Sequence, residues 1–111
     1  MIDLIRTKIQ ARDEARFTVS GWRGSGSKVV FTNGCFDLMH PGHLNYLAEA
    51  RNLGQHLVIG LNTDESVQRL KGSHRPIMDE QARALLLASL AFVDLVVFFG
   101  EDTPLELIQM L

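Results

Sequence analysis

At 111 residues the chain has the size of one small domain, and its 46% hydrophobic and 22% charged residues exclude a disordered tail or a collagen-like chain. A formal net charge of −2 argues against a general nucleic-acid binder, so any bound anion must be met by local positive groups. The single cysteine, Cys35, cannot form an internal disulfide, and no apolar run approaches the roughly 20 residues of a membrane span.

Met1 to Phe17 carries apolar Ile2, Ile5 and Ile9 at helical spacing. Its early Asp3 and lack of a long apolar stretch do not fit a secretory signal, so the expectation is a cytoplasmic protein with no membrane partner. Ser20 to Ser27 reads as a flexible Gly/Ser connector. This divides the chain into residues 1–27, an N-terminal helix and connector, and residues 28–111, the domain proper. Within the connector, Gly21 to Lys28 faintly imitates a P-loop. Its lysine is displaced by one position, and it precedes a strand rather than following one, so it is rejected as a phosphate site.

Lys28 to Thr32 contains Val29-Val30-Phe31, a buried strand by composition. Leu44 to Leu53 reads as a helix stopped by Gly54, and Leu57 to Leu61 as a second buried strand. Met78 to Leu90 reads as a helix with Asp79 near its start. Arg83 is expected on its solvated face, or else reaching phosphate, and Leu85-Leu86-Leu87 in the core. Leu95 to Phe99 reads as a third strand. Thr103-Pro104-Leu105-Glu106 then opens a last helix with a capping box. Alternating strands and helices predict an α/β fold with a parallel sheet, right-handed crossovers and a ligand site beyond the carboxyl ends of the strands.

That rule directs attention to Thr32 through His43. Gly34 allows a sharp turn, and Pro41-Gly42 separates His40 from His43. His43 falls at the start of the next helix, where unpaired N–H groups favour an anion. Two imidazoles there can donate hydrogen bonds to oxygens that gain charge in a transition state. Alternatively, they are loop residues and Pro-Gly is only a turn.

The His40-Pro41-Gly42-His43 segment, preceded by Gly34-Cys35-Phe36-Asp37 after a strand, resembles the HxGH motif of the nucleotidyltransferase superfamily. Gly60 to Val67, Leu70-Lys71-Gly72, Arg75-Pro76-Ile77 and Val93-Asp94 through Pro104 extend the likeness. From Lys28 onward the chain resembles the adenylyltransferase domain of the ADP-heptose synthases, the HldE or RfaE type. The resemblance implies a Rossmann-like parallel sheet of the HxGH type, truncated after the third strand and following helix. It implies transfer of AMP from ATP, with Mg²⁺, to D-glycero-β-D-manno-heptose 1-phosphate, giving ADP-heptose and pyrophosphate for the lipopolysaccharide core.

By the same resemblance His40 and His43 are catalytic. Asn33, Gly34, Cys35, Phe36, His40 and His43 bind the nucleotide, with backbone N–H groups near Cys35 and Phe36 along the triphosphate. Lys71 and Arg75, on a Gly-containing loop, are partners for phosphate, or else a solvated basic loop. Asp37 orients Mg²⁺ through water, or else serves as a turn residue; no protein-held metal site is expected. Cys35 reads as a packed thiol rather than a nucleophile, since the chemistry needs no covalent intermediate. His56 and His74 have no partner visible in the sequence.

Family members continue with a Lys-Gly-Gly-Asp element and a Ser/Thr-rich motif, whereas this chain ends inside an amphipathic helix, so a fragment, or a split or degenerate homologue, is expected. Such a fragment would leave Val29-Val30-Phe31 at an open edge and supply few helices to cover the sheet, which predicts association into a homo-oligomer. Two other classes stay open. One is a cytidylyltransferase acting on glycerol phosphate or ethanolamine phosphate. The other is a non-catalytic nucleotide-binding or metal-binding module, although Cys35, Asp37, His40 and His43 match no common zinc spacing.

Overall fold

The computed structural model describes residues 1–111. Three strands, β1 (Val29–Gly34), β2 (His56–Asn62) and β3 (Leu95–Phe99), form a parallel sheet in the order β1-β2-β3. The helices are α1 (Ile2–Arg6), α2 (Arg12–Gly24), α3 (Pro41–Arg51), α4 (Asp64–Lys71), α5 (Glu80–Ala88) and α6 (Leu105–Met110). The α/β class and the three strands agree with the sequence reading.

The central strand β2 is apolar on both faces because both faces are covered. Leu57, Ile59 and Leu61 point into one core with Leu47 of α3 and Ala84, Leu87 and Ala88 of α5. Val58 points the other way, joining Leu95, Val97 and Phe99 of β3, Ala15 and Val19 of α2, and Leu107 of α6. Fully burying a side chain of the Val, Leu or Phe kind contributes about 1.5–3 kcal/mol, so these two layers dominate the stability.

The N-terminal segment corrects the expected connector. Ser20 to Gly24 is the last part of α2 rather than a flexible link. Burial of Ala15 and Val19, with Trp22 stacked on His56 at 4.0 Å between ring centroids, outweighs the weak helix propensity of Gly and Ser. Residues 8–10 also pair with β3: Val96 N–H donates to Lys8 C=O at 2.8 Å, and Gln10 N–H to Val96 C=O at 3.1 Å. Arg12 pairs with Glu101 beyond β3. Residues 1–27 thus pack as part of the sheet's cover, and the helices cover both faces. β1 stands at an edge, as expected.

Two further boundaries differ. The unassigned stretch after β2 is helix α4, capped by Thr63, whose Oγ1 accepts from Ser66 N–H at 3.3 Å. The box expected at the last helix does not form. Pro104 occupies the N-cap, and Thr103 Oγ1 only accepts from Leu105 N–H at 3.4 Å. No helix is long and apolar enough to cross a membrane.

Candidate active site

All three strands run the same way, so their carboxyl ends, Gly34, Asn62 and Phe99, share one end of the sheet. There the chain enters α3 through residues 35–40. His40 is the N-cap, Pro41 occupies the first turn, and His43 is the third helical residue. Proline suits this position because its missing N–H would have had no intrahelical partner.

The two histidines form a reciprocal cap. Gly42 N–H donates to His40 Nδ1 at 3.0 Å, and His40 N–H donates to His43 Nδ1 at 3.2 Å. A nitrogen that accepts a hydrogen bond carries no proton, so each neutral ring bears its hydrogen on Nε2. Neither Nε2 has a partner within the chain. The rings lie 4.1 Å apart between centroids. The arrangement therefore presents two outward N–H donors at the amino end of a helix.

Burial, then the neighbouring His40 and the charge of Lys71, push the His43 pKa below its ordinary 6.5. The same burial that disfavours a second proton favours Nδ1 as an acceptor. The first turn of α3 contains no acid, whereas α4, at the end of β2, starts with Asp64 and Glu65. Of these two helix starts, only that of α3 has a field suited to an anion.

Glycines shape this corner for a specific reason. A Cβ on Gly42 would lie 2.7 Å from His40 Cε1, so glycine lets the His40 ring fold back onto the helix start. A Cβ on Gly34 would lie 2.8 Å from the Phe36 ring. Phe36 has φ +48, a left-handed conformation that turns its ring back over Gly34 and edge-on to His43, with centroids 5.7 Å apart. The backbone N–H groups of Cys35 and Phe36 donate to no group of the chain.

The remaining expected residues fall into two sets. Asn33, Gly34, Cys35 and Phe36 lie at the end of β1 and in the turn beside the histidines. Lys71 is exposed as the last residue of α4, not on a loop, and its charge reaches His43.

Asp37 is corrected. Asp37 is 2% exposed, and its carboxylate accepts from Ile77 N–H and Met78 N–H, both at 2.9 Å, and from the Arg75 guanidinium. Burial pushes the Asp37 carboxyl up, but these donors outweigh it and hold the pKa at about 2. With its oxygens filled by protein donors, Asp37 does not fit a role in orienting Mg²⁺. It ties residues 75–78 to the turn after β1, and it engages Arg75 through Nε while that side chain stays partly exposed. No three His, Cys, Asp or Glu side chains gather to hold an ion.

Arg83 contradicts the expected solvated face: it is 1% exposed. Its guanidinium donates to Cys35 C=O at 2.8 Å, Asn62 C=O at 2.7 Å, Met78 C=O at 3.0 Å and Asp64 Oδ1 at 2.7 Å. A signal was present in the spacing, because Arg83, Ala84, Leu87 and Ala88 fall on one helical face, the buried one. His56 is the stacking partner of Trp22, whereas His74 is exposed.

Comparison with known proteins agrees with the fold. The family model described as cytidylyltransferase-like matches residues 31–110. The bifunctional protein HldE of Magnetococcus marinus is 61% identical over 104 residues, which is 94% of this chain and 21% of that protein. The bifunctional protein HldE of Caulobacter vibrioides is 59% identical over 102 residues, 92% of this chain and 21% of that protein. Among solved structures, the lipopolysaccharide core biosynthesis protein from Thermoplasma volcanium superposes with a TM-score of 0.65 at 34% identity. The superposition covers 76% of this chain and 68% of that one. The chain thus spans about a fifth of the length of the curated relatives it matches.

Proposed function

Because this chain belongs to the cytidylyltransferase-like family, a family of nucleotidyl-transferring enzymes, we propose that it carries the adenylyltransferase site of an ADP-heptose synthase. The substrates are ATP, with Mg²⁺ as its counter-ion, and D-glycero-β-D-manno-heptose 1-phosphate. The products are ADP-heptose and pyrophosphate. The observation that carries this reading is the pair of outward Nε2–H donors on His40 and His43 at the acid-free start of α3.

A phosphate oxygen of the sugar attacks the α-phosphorus of ATP in line. A new P–O bond forms, the bond from the α-phosphorus to the bridging oxygen breaks, and pyrophosphate leaves with the electron pair. Charge grows on the non-bridging and leaving oxygens. Preorganised donors facing those oxygens lower the barrier without any covalent intermediate. His40 and His43 supply two such donors, the N–H groups of Cys35 and Phe36 supply others, and Lys71 adds positive charge near His43.

The test is AMP transfer from α-labelled ATP to the heptose phosphate by the wild type and by His43→Asn. The amide oxygen of asparagine can still accept from His40 N–H, but the Nε2 donor is lost. Loss of one such donor lowers kcat by about 10²–10³. A folded His43→Asn variant with near-normal kcat would overturn the assignment. The description of the family model favours one second reading, a cytidylyltransferase acting on glycerol phosphate or ethanolamine phosphate. Greater thermal protection by CTP–Mg²⁺ than by ATP–Mg²⁺ would select it.

A further inference from the structure

Arg83 has no direct access to a substrate, yet it is bonded to four acceptors on three segments around the candidate site. We propose that Arg83 is a positioning residue that aims the Phe36 N–H into the phosphate-binding turn by holding the Cys35 carbonyl. The proposal rests on the phosphate-binding role assigned above to the turn after β1.

The only cis peptide in the chain is Arg75–Pro76, so the Cys35–Phe36 peptide is trans. In a trans peptide the C=O and the following N–H point in opposite directions. Arg83 Nη1 draws the Cys35 C=O toward α5 at 2.8 Å, which turns the Phe36 N–H away from α5. That N–H donates to nothing in the chain. The same Nη1 holds Asn62 C=O, the last residue of β2, so the turn is registered against the sheet end.

The guanidinium is suited to this task because its planar fork satisfies several acceptors at fixed angles. Asp64 balances its charge at 2.7 Å. Phe36 needs such support. Its φ of +48 is uncommon for a residue with a bulky side chain, and such a conformation persists where surrounding contacts impose it. Two holds are visible: Arg83 on Cys35, and the Asp37 carboxylate on residues 75–78.

Lysine at position 83 would keep a positive charge but not the fork. The experiment follows the Phe36 backbone amide and the His40 and His43 rings by NMR while inorganic pyrophosphate is titrated into the full chain. In the wild type, the Phe36 amide and both rings are expected to respond together. In Arg83→Lys, the rings should still respond, the Phe36 response should be largely lost, and the Kd for pyrophosphate should rise about tenfold.

Arg83→Lys with an undiminished Phe36 response and unchanged Kd overturns the proposal. So does a wild type whose rings respond while the Phe36 amide does not, an arm that requires no variant to fold. A wild type in which neither rings nor amide respond places the failure in the phosphate site itself and overturns both readings.

Discussion

Gly42→Ala separates the stability of the α3 start from its chemistry. Gly42 does not have a left-handed φ, so alanine meets no backbone penalty there, and in a helix it is favoured over glycine by about 1 kcal/mol. The new Cβ would lie 2.7 Å from His40 Cε1 and 3.0 Å from His40 Nδ1. The ring must swing outward, which breaks the bond from Gly42 N–H to Nδ1 and costs about 0.5–1.5 kcal/mol. These two effects nearly cancel. For a domain of this size 1 kcal/mol corresponds to roughly 4–8 °C, so the melting temperature should move by only a few degrees. The displaced ring, however, no longer holds its Nε2–H beside that of His43. Loss of one aligned donor predicts a fall in kcat of about 10²–10³. Paired thermal melts and AMP-transfer assays read the two effects separately. A Gly42→Ala protein with unchanged kcat would refute the claim that glycine is present to seat the His40 ring. One that melts tens of degrees lower would refute the energetic argument.

Two other outcomes follow from charge. Asp37→Asn should destabilise the chain by about 2 kcal/mol or more, because a buried carboxylate with three donors is replaced by a neutral amide; thermal melts at neutral pH measure this. Since the Asp37 pKa is lowered to about 2 from 3.8, its stabilisation is complete above 3.8 and disappears as pH falls through about 2, and the variant should lose that part of the acid transition. The lowered pKa of His43 has the same sign for stability: the neutral ring's contribution is complete above 6.5 and declines as pH falls below it. Activity carried by a neutral Nε2–H donor should likewise be flat above 6.5, with its acid limb displaced below 6.5 in a pH–rate profile.

The strands were legible because Val29-Val30-Phe31, Leu57 to Leu61 and Leu95 to Phe99 are continuous apolar runs, as buried parallel strands require. The positions of His40 and His43 were legible because Pro41 marks a first helical turn and the preceding turn carries Gly34. Helix α4 was not, since Asp64–Lys71 holds only Val67 and Leu70 as apolar residues and its periodicity is faint. The end of α2 was misread for a different reason. Gly21 and Gly24 argue locally against a helix, and contacts distant in sequence, with β3 and His56, decide otherwise.

Long-range pairing also hid the bonding partners of Asp37 and Arg83. Asp37 lies 38 residues from Arg75, and Arg83 lies 48 residues from Cys35, so local patterns held no trace of either bond. The sequence placed the polar residues near the ligand end of the sheet. Only the fold distinguishes those that face outward from those consumed in holding the turn.

In the proposed reaction His40 and His43 act as neutral Nε2–H donors to nucleotide phosphates. Imidazole ¹⁵N spectra of the full chain at pH 7.5, recorded while ATP–Mg²⁺ is added, test it most directly. Both rings should show a protonated Nε2 and a bare Nδ1 before addition, and both Nε2 signals should shift with saturation on addition. Rings found in the Nδ1–H form, rings found as imidazolium, or Nε2 signals indifferent to ATP–Mg²⁺ would contradict the account.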